Sequence, residues 1–279
     1  MGFLETKKAK IHYREYGTGD KIMLAFHGFG MHARQFDVLM PTLADKFRIF
    51  SFDLFFHGQT ILNDASVEEV RKGLSTKEFL EYIHLFLKEK QLGEAQFSIL
   101  SYSMGACMAW AILEDMPQKI DKLFFVAPDG IQVNKMVSIL SNNRLVNRLA
   151  YKLVHSPKTV NFLLNSIQKF KYIDQDLHRI LKQEFGSTET RLVCYNAITY
   201  NSKFRFDKTK LAALINQYDI DAFLYFGKKD KVFPAKIGQD FAQLLDRPRL
   251  HIFEEGHELV NNNLNTLIEK QLKEYGCND

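Results

Sequence analysis

Apolar residues along this chain follow two rhythms that alternate for most of its length. Short apolar or period-two runs cover residues 10–16, 22–26, 48–52, 97–100, 122–127, 222–226 and 249–253. Most of these runs are followed at once by turn residues, such as Gly17-Thr18-Gly19-Asp20 after the first and Pro128-Asp129-Gly130 after the fifth. Such runs predict strands. Between them the apolar spacing lengthens to three and four, which predicts helices over 33–45, 76–91, 104–116, 234–245 and 259–275. In 76–91, Phe79, Leu80, Ile83, Phe86 and Leu87 fall on one face, and Gly93 stops the run. Strands alternating with helices of this size predict an α/β fold with a mostly parallel sheet covered on both faces.

The rhythm breaks over residues 131–210. This stretch has no strand pattern, and helical spacing recurs over 136–153 and 160–170. It carries fourteen Lys and Arg against five Asp and Glu, which leaves the remainder of the chain net acidic although the whole is +4. An all-helical insert between two stretches of strand–helix alternation is the pattern of a lid over a site; its alternative is a second structural layer with a solvated basic face. The expected organisation is therefore a core of residues 1–130 and 211–279 and a helical cap of residues 131–210. Phe162, Phe170, Tyr172, Phe185, Tyr195 and Phe204 are candidate pocket aromatics, though core packing is the more frequent fate of such residues.

Composition narrows the function classes. A chain of 279 residues with 46% hydrophobic and 25% charged positions can bury a sizeable core. A net charge of +4 is too small to argue for nucleic-acid binding, and no apolar run reaches membrane-spanning length. Glu5, Lys7, Lys8 and Lys10 leave no signal-peptide apolar region near residue 1, and bulky Phe3 beside Gly2 disfavours myristoylation. Cys107, Cys194 and Cys277 show no paired spacing, which argues against a disulfide framework and a Cys-x-x-Cys metal site. A cytoplasmic protein is expected.

The chemistry concentrates at Ser101-Tyr102-Ser103-Met104-Gly105, between the 97–100 strand and the 104–116 helix. A serine on a sharp strand-to-helix turn is held clear of the sheet, and the next backbone N–H faces whatever its hydroxyl attacks. The bland alternative is a helix-capping serine. A serine hydroxyl needs a base, and the base needs an orienting acid. His257, in Glu254-Glu255-Gly256-His257, follows the 249–253 strand. Asp230, in Gly227-Lys228-Lys229-Asp230, follows the 222–226 strand, with Pro234 beyond it. Catalytic groups of open α/β sheets gather at strand carboxyl ends, so Ser103, Asp230 and His257 are the expected catalytic set. Asp129, after the 122–127 strand, is the rival acid. His27-Gly28-Phe29-Gly30 follows the 22–26 strand, and the backbone N–H groups of Phe29 and Met104 are the expected oxyanion donors.

These motifs resemble the α/β-hydrolase fold family over nearly the whole length. Phe52-Asp53-Leu54-Phe55-Phe56-His57-Gly58-Gln59-Thr60 is similar to that family's Asp-x-x-Gly-His-Gly-x-Ser segment, with Phe56 where glycine is usual. The resemblance implies an eight-stranded, mostly parallel sheet with its second strand antiparallel, and a helical cap after the sixth strand. It also implies that Asp53 and His57 brace the loop beside the site rather than join the catalytic set. A serine rather than an aspartate nucleophile leaves ester, thioester, amide and carbon–carbon hydrolysis.

The expected function is a serine hydrolase acting on a small carboxylic ester or related acyl substrate, without metal or organic cofactor. The basic insert adds the expectation that negative charge on the substrate, away from the scissile bond, is favoured. The alternatives are a carbon–carbon hydrolase of an anionic diketone and a catalytically silent member that binds a small ligand.

Overall fold

The computed structural model describes residues 1–132, 143–169 and 186–275. It divides into two compact units: one of residues 1–63, 75–133 and 204–279, the other of residues 64–74 and 134–203. Segment 64–74 therefore groups with the insert, whereas its sequence neighbours place it in the core. Leu74 N–H donates to the Tyr200 carbonyl at 2.7 Å, a pairing across more than a hundred residues that no local pattern announces.

The first unit is built on a nine-stranded sheet. Its strands are β1 (Gly2–Glu5), β2 (Ala9–Tyr16), β3 (Lys21–Phe26), β4 (Phe47–Phe52), β5 (Ile61–Leu62), β6 (Phe97–Tyr102), β7 (Ile120–Val126), β8 (Asp221–Gly227) and β9 (Arg249–Phe253). The order is β1-β2-β4-β3-β6-β7-β8-β9, with β5 paired to β2. The expected fold class holds, and β2 runs antiparallel to its neighbours. The strand count is nine rather than eight, because the two-residue β5 joins β2 through Ala9 and Lys10. Two residues are too few to show a period, so nothing in the local pattern marks them.

Central strands β3, β6, β7 and β8 are buried almost end to end, as a parallel sheet with helices on both faces requires. The helices of this unit, numbered along the chain, include α1 (Met40–Leu43), α3 (Thr76–Glu89), α4 (Ala106–Asp115), α8 (Lys208–Gln217), α9 (Ala235–Ala242) and α10 (Asn262–Glu274). Residues 33–45, expected as one helix, form a 3-10 turn over Ala33–Leu39 followed by the short α1 with Pro41 in its first turn. Pro41 lacks the N–H that would carry a continuous helix through this point. On one face Phe36, Phe47, Phe124, Phe223 and Leu264 are part of a single buried cluster. Elsewhere Trp110 of α4 stacks on Phe125 of β7, with centroids 3.8 Å apart. Each fully buried side chain of this size contributes about 1.5–3 kcal/mol of transfer free energy.

The parallel registers align the strand ends that matter. Phe26 lies beside Ser101, Tyr102 beside Val126, Val126 beside Tyr225, and Gly227 beside Phe253. The loops that start at residues 27, 103, 127, 228 and 254 consequently leave the sheet along one edge.

The second unit contains α2 (Val67–Lys72), α5 (Arg144–Val154), α6 (Pro157–Lys169) and α7 (Thr188–Tyr200). It shows no strand among its described residues. The helical pattern over 136–153 is described from residue 143 onward. The candidate aromatics Phe170, Tyr172 and Phe185 lie outside the described residues. Tyr195 is buried within this unit and Phe162 is exposed. Phe204 belongs to the first unit and packs edge-on to Phe79.

Candidate active site

Strand β6 ends at Tyr102, and the chain turns at once into a 3-10 turn over Ser103–Gly105 that leads into α4. Ser103 has φ +50°, left-handed backbone that a non-glycine residue adopts at a cost of about 1–3 kcal/mol. The turn is this tight because Gly105 passes directly over β3. A Cβ built on Gly105 would lie 2.1 Å from the Phe26 carbonyl oxygen, so only glycine fits.

His257 and Asp230 converge on this turn from β9 and β8. His257 Nε2 is 3.1 Å from Ser103 Oγ, and His257 Nδ1 is 2.7 Å from Asp230 Oδ2. With the proton on Nδ1, the imidazole donates to Asp230 and accepts from the serine hydroxyl. The other Asp230 oxygen accepts the N–H groups of Val232 (2.7 Å) and Phe233 (2.9 Å), which fixes the carboxylate in its loop. Burial alone would raise the Asp230 carboxyl. The hydrogen bonds from His257, Phe233 and Val232 outweigh it and hold the carboxyl below its usual range, ionised. The imidazole is framed by Phe233 and Tyr102, and Tyr102 OH donates to the His257 carbonyl at 3.0 Å. Tyr102 was not singled out from the sequence, although its place beside Ser103 is the signal that could have found it.

Asp129 is elsewhere employed. Its Oδ1 accepts the Gly130 N–H at 2.7 Å, and its own N–H donates to the Ser103 carbonyl at 3.1 Å. Burial pushes its carboxyl up, a shift that the Gly130 N–H only partly offsets. The His257 imidazole is hydrogen-bonded to Asp230 instead.

The loop after β3 carries the expected oxyanion donor. Gly28 N–H donates to Gln35 Oε1 at 2.9 Å and Gly30 N–H to His57 Nε2 at 3.0 Å. Phe29 N–H, between them, has no acceptor among the described residues. Met104 lies in the first turn after Ser103, where backbone N–H groups have no intrahelical partner.

Three imidazoles hold this loop and its neighbours. His27 donates from Nδ1 to the Gly28 carbonyl and accepts the Leu54 N–H on Nε2. His57 sits between the Phe55 carbonyl and Gly30 N–H. His12 Nδ1 meets Asp53 Oδ2 at 2.7 Å, and Asp53 also accepts the N–H groups of Ala33 and Gln59. Burial drives His27 down to about 3 and lowers His57 as well, so both are neutral and serve as hydrogen-bonding struts. Phe56 has φ +65°, the left-handed backbone that glycine adopts most readily, so glycine would suit its position. His12 and Gln35 are additions that no sequence motif marked, since each reaches its partner only through sheet pairing or loop folding.

Among the described residues, no group of three or more His, Cys, Asp or Glu side chains is placed to hold a metal ion, and no helix is long and apolar enough to cross a membrane. Cys107 and Cys194 are free thiols.

Comparison with known proteins gives the arrangement a lineage. The sequence profile of the alpha/beta hydrolase fold matches residues 21–262. The pimeloyl-[acyl-carrier protein] methyl ester esterase of Nitrosomonas europaea is 23% identical over 265 residues, covering 89% of this chain and 93% of the relative. An uncharacterized hydrolase of Bacillus subtilis is 20% identical, covering 95% and 93%. Among solved structures, a thermophilic esterase from Thermogutta terrifontis superimposes with a TM-score of 0.70 at 14% identity, covering 98% of this chain and 99% of its own. A profile match over most of the chain, on a sheet of this order, means that the protein belongs to the α/β-hydrolase fold family and is a hydrolase.

Proposed function

We propose that this hydrolase is a serine esterase in which Ser103 is the nucleophile, His257 the base and Asp230 the orienting acid. The observation that carries the reading is the unbroken hydrogen-bonded chain from Ser103 Oγ through His257 to Asp230. As Oγ attacks the ester carbonyl, its proton passes to His257 Nε2 and the imidazolium is stabilised by Asp230. The carbonyl oxygen, now an oxyanion, takes the N–H groups of Phe29 and Met104. A donor of this kind contributes about 3–4 kcal/mol to the transition state. The imidazolium then protonates the leaving alkoxide, and an acyl-Ser103 remains. His257 next deprotonates a water that attacks the acyl carbon, and the acid departs with the proton returned to Ser103. The chemistry is complete with these side chains and backbone donors, and calls for no metal or organic cofactor.

The substrate class is a small acyl compound. The Nitrosomonas relative is named for a methyl ester, which supports an ester over an amide. We read residues 131–210 as the cap, and their excess of Lys and Arg favours a substrate that carries negative charge away from the scissile bond. The free thiols fit a reducing compartment, and we assign the protein to the cytoplasm. Ser103→Ala tests the reading. The variant should keep the wild-type circular dichroism spectrum and lose both p-nitrophenyl ester turnover and fluorophosphonate labelling. Undiminished labelling would identify another nucleophile and reject the assignment.

A further inference from the structure

The second unit holds a cavity of about 560 Å³ lined by Glu68, Arg71, Lys72, Arg144, Asn147, Arg148 and Lys203. Five of these seven side chains are cationic and one is a carboxylate. They come from α2, from one face of α5 and from the last residue of the 3-10 turn Asn201–Lys203 after α7. Lys72 is paired with Glu69 at 2.6 Å. Among the described residues no carboxylate pairs with Arg71, Arg144, Arg148 or Lys203. Like charges gathered around one hollow repel one another, and an anion between them relieves that cost.

The wall is built, not merely charged. Arg71 Nε donates to Asn147 Oδ1 at 2.8 Å and to Tyr195 OH at 3.2 Å, and Tyr195 OH donates to the same Oδ1 at 2.6 Å. Asn147 and Tyr195 are buried, and the Arg71 guanidinium lies over the Tyr151 ring at 5.5 Å. This network uses one edge of the guanidinium and leaves its two terminal nitrogens without a hydrogen-bond partner among the described residues. Arg144 and Arg148 stand four residues apart, hence on one face of α5 one turn from each other. Lys203 reaches the pocket alongside Gly73, where a side chain would collide with its stem at 2.6 Å.

We propose that this pocket is a binding site for a small phosphate-bearing anion, a phosphate monoester or a diphosphate. Three guanidinium forks match tetrahedral oxyanions in geometry, and with Lys72 paired to Glu69 an excess of three positive charges remains, which calls for a ligand carrying more than one negative charge. The site lies wholly within the second unit, and it stands or falls independently of the serine mechanism.

The test is isothermal titration of the full-length protein with inorganic phosphate and with diphosphate, at ionic strength held constant with chloride. Saturable one-to-one binding is expected, tighter for diphosphate. Arg144→Ala and Arg148→Ala, both at exposed positions, should each weaken it by about tenfold or more. Arg71→Lys keeps the charge but loses the fork, and should weaken it too, with the circular dichroism spectrum unchanged. Absence of saturable binding, or equal affinity in the wild type and both alanine variants, would overturn the proposal. So would sedimentation with phosphatidate-containing vesicles by a protein that ignores soluble diphosphate, which would make the patch a membrane-facing surface.

Discussion

Gly105→Ala is the sharpest probe of how the fold sets the reaction geometry. On a helical surface this substitution stabilises by about 0.5–1 kcal/mol, because alanine loses less backbone freedom on folding. Here the added methyl would sit 2.1 Å from the Phe26 carbonyl oxygen and 2.6 Å from that of His27, both backbone atoms of the β3 end. Contacts of Cβ atoms below 3.0 Å do not occur, so the turn over Ser103–Gly105 must retreat by about 0.9 Å or more. Overpacking of this kind costs about 1–3 kcal/mol, which reverses the sign of the helix gain. For a chain of this size that is a fall in Tm of about 2–5 °C. The retreat also carries Ser103 and the Met104 N–H away from the Phe29 loop. A displacement of about 1 Å at a reacting centre costs on the order of a hundredfold in rate. Differential scanning calorimetry and kcat/KM for a short p-nitrophenyl ester read the two effects separately. A Gly105→Ala protein with wild-type kcat/KM and an unchanged or higher Tm would refute the reasoning.

Other outcomes follow from the same geometry. Asp230→Asn should lower kcat by about 10⁴-fold through the wrong imidazole tautomer, whereas Asp129→Asn should leave kcat within a few-fold; steady-state kinetics on both variants distinguish them. His27 is neutral in the folded protein and its folded value, about 3, lies below the unfolded one near 6.5. The unfolded chain therefore binds the extra proton as pH falls below about 6.5, and His27 subtracts up to about 1.4 kcal/mol of stability per pH unit down to about 3. Urea unfolding at pH 6.5, 5.5 and 4.5 should show a shallower loss in His27→Asn than in wild type; identical slopes would contradict this. An ester with a carboxylate remote from the scissile bond should show higher kcat/KM than its neutral isostere, with the advantage shrinking as salt is added. Equal values at low ionic strength would place the basic face of the insert away from the reaction.

Much of this protein is legible residue by residue because its core strands are both short and buried on two faces. Continuous apolar runs such as those of β3, β7 and β8 need no partner to be recognised, and the three-four spacing of α3 marks it equally well. The order of Ser103, Asp230 and His257 is likewise written in local motifs, each immediately beyond a strand. What the motifs leave open is which carboxylate meets the imidazole: Asp129 and Asp230 both follow strands, and only the folded loops send Asp230 to His257 and Asp129 to the Gly130 N–H. The marginal elements depend on distant partners in the same way. Gly2–Glu5 and Ile61–Leu62 are strands because β2 offers them hydrogen bonds, and residues 64–74 join the second unit through pairings such as Leu74 with Tyr200. Arg71 and Lys203 are ordinary surface cations in the sequence, and they become walls of one cavity only when α2, α5 and the end of α7 come together. Local spacing determines which segments can hide apolar surface. Contacts between residues far apart in the chain decide where charges, donors and edges meet, because those energies do not exist until the chain has closed on itself.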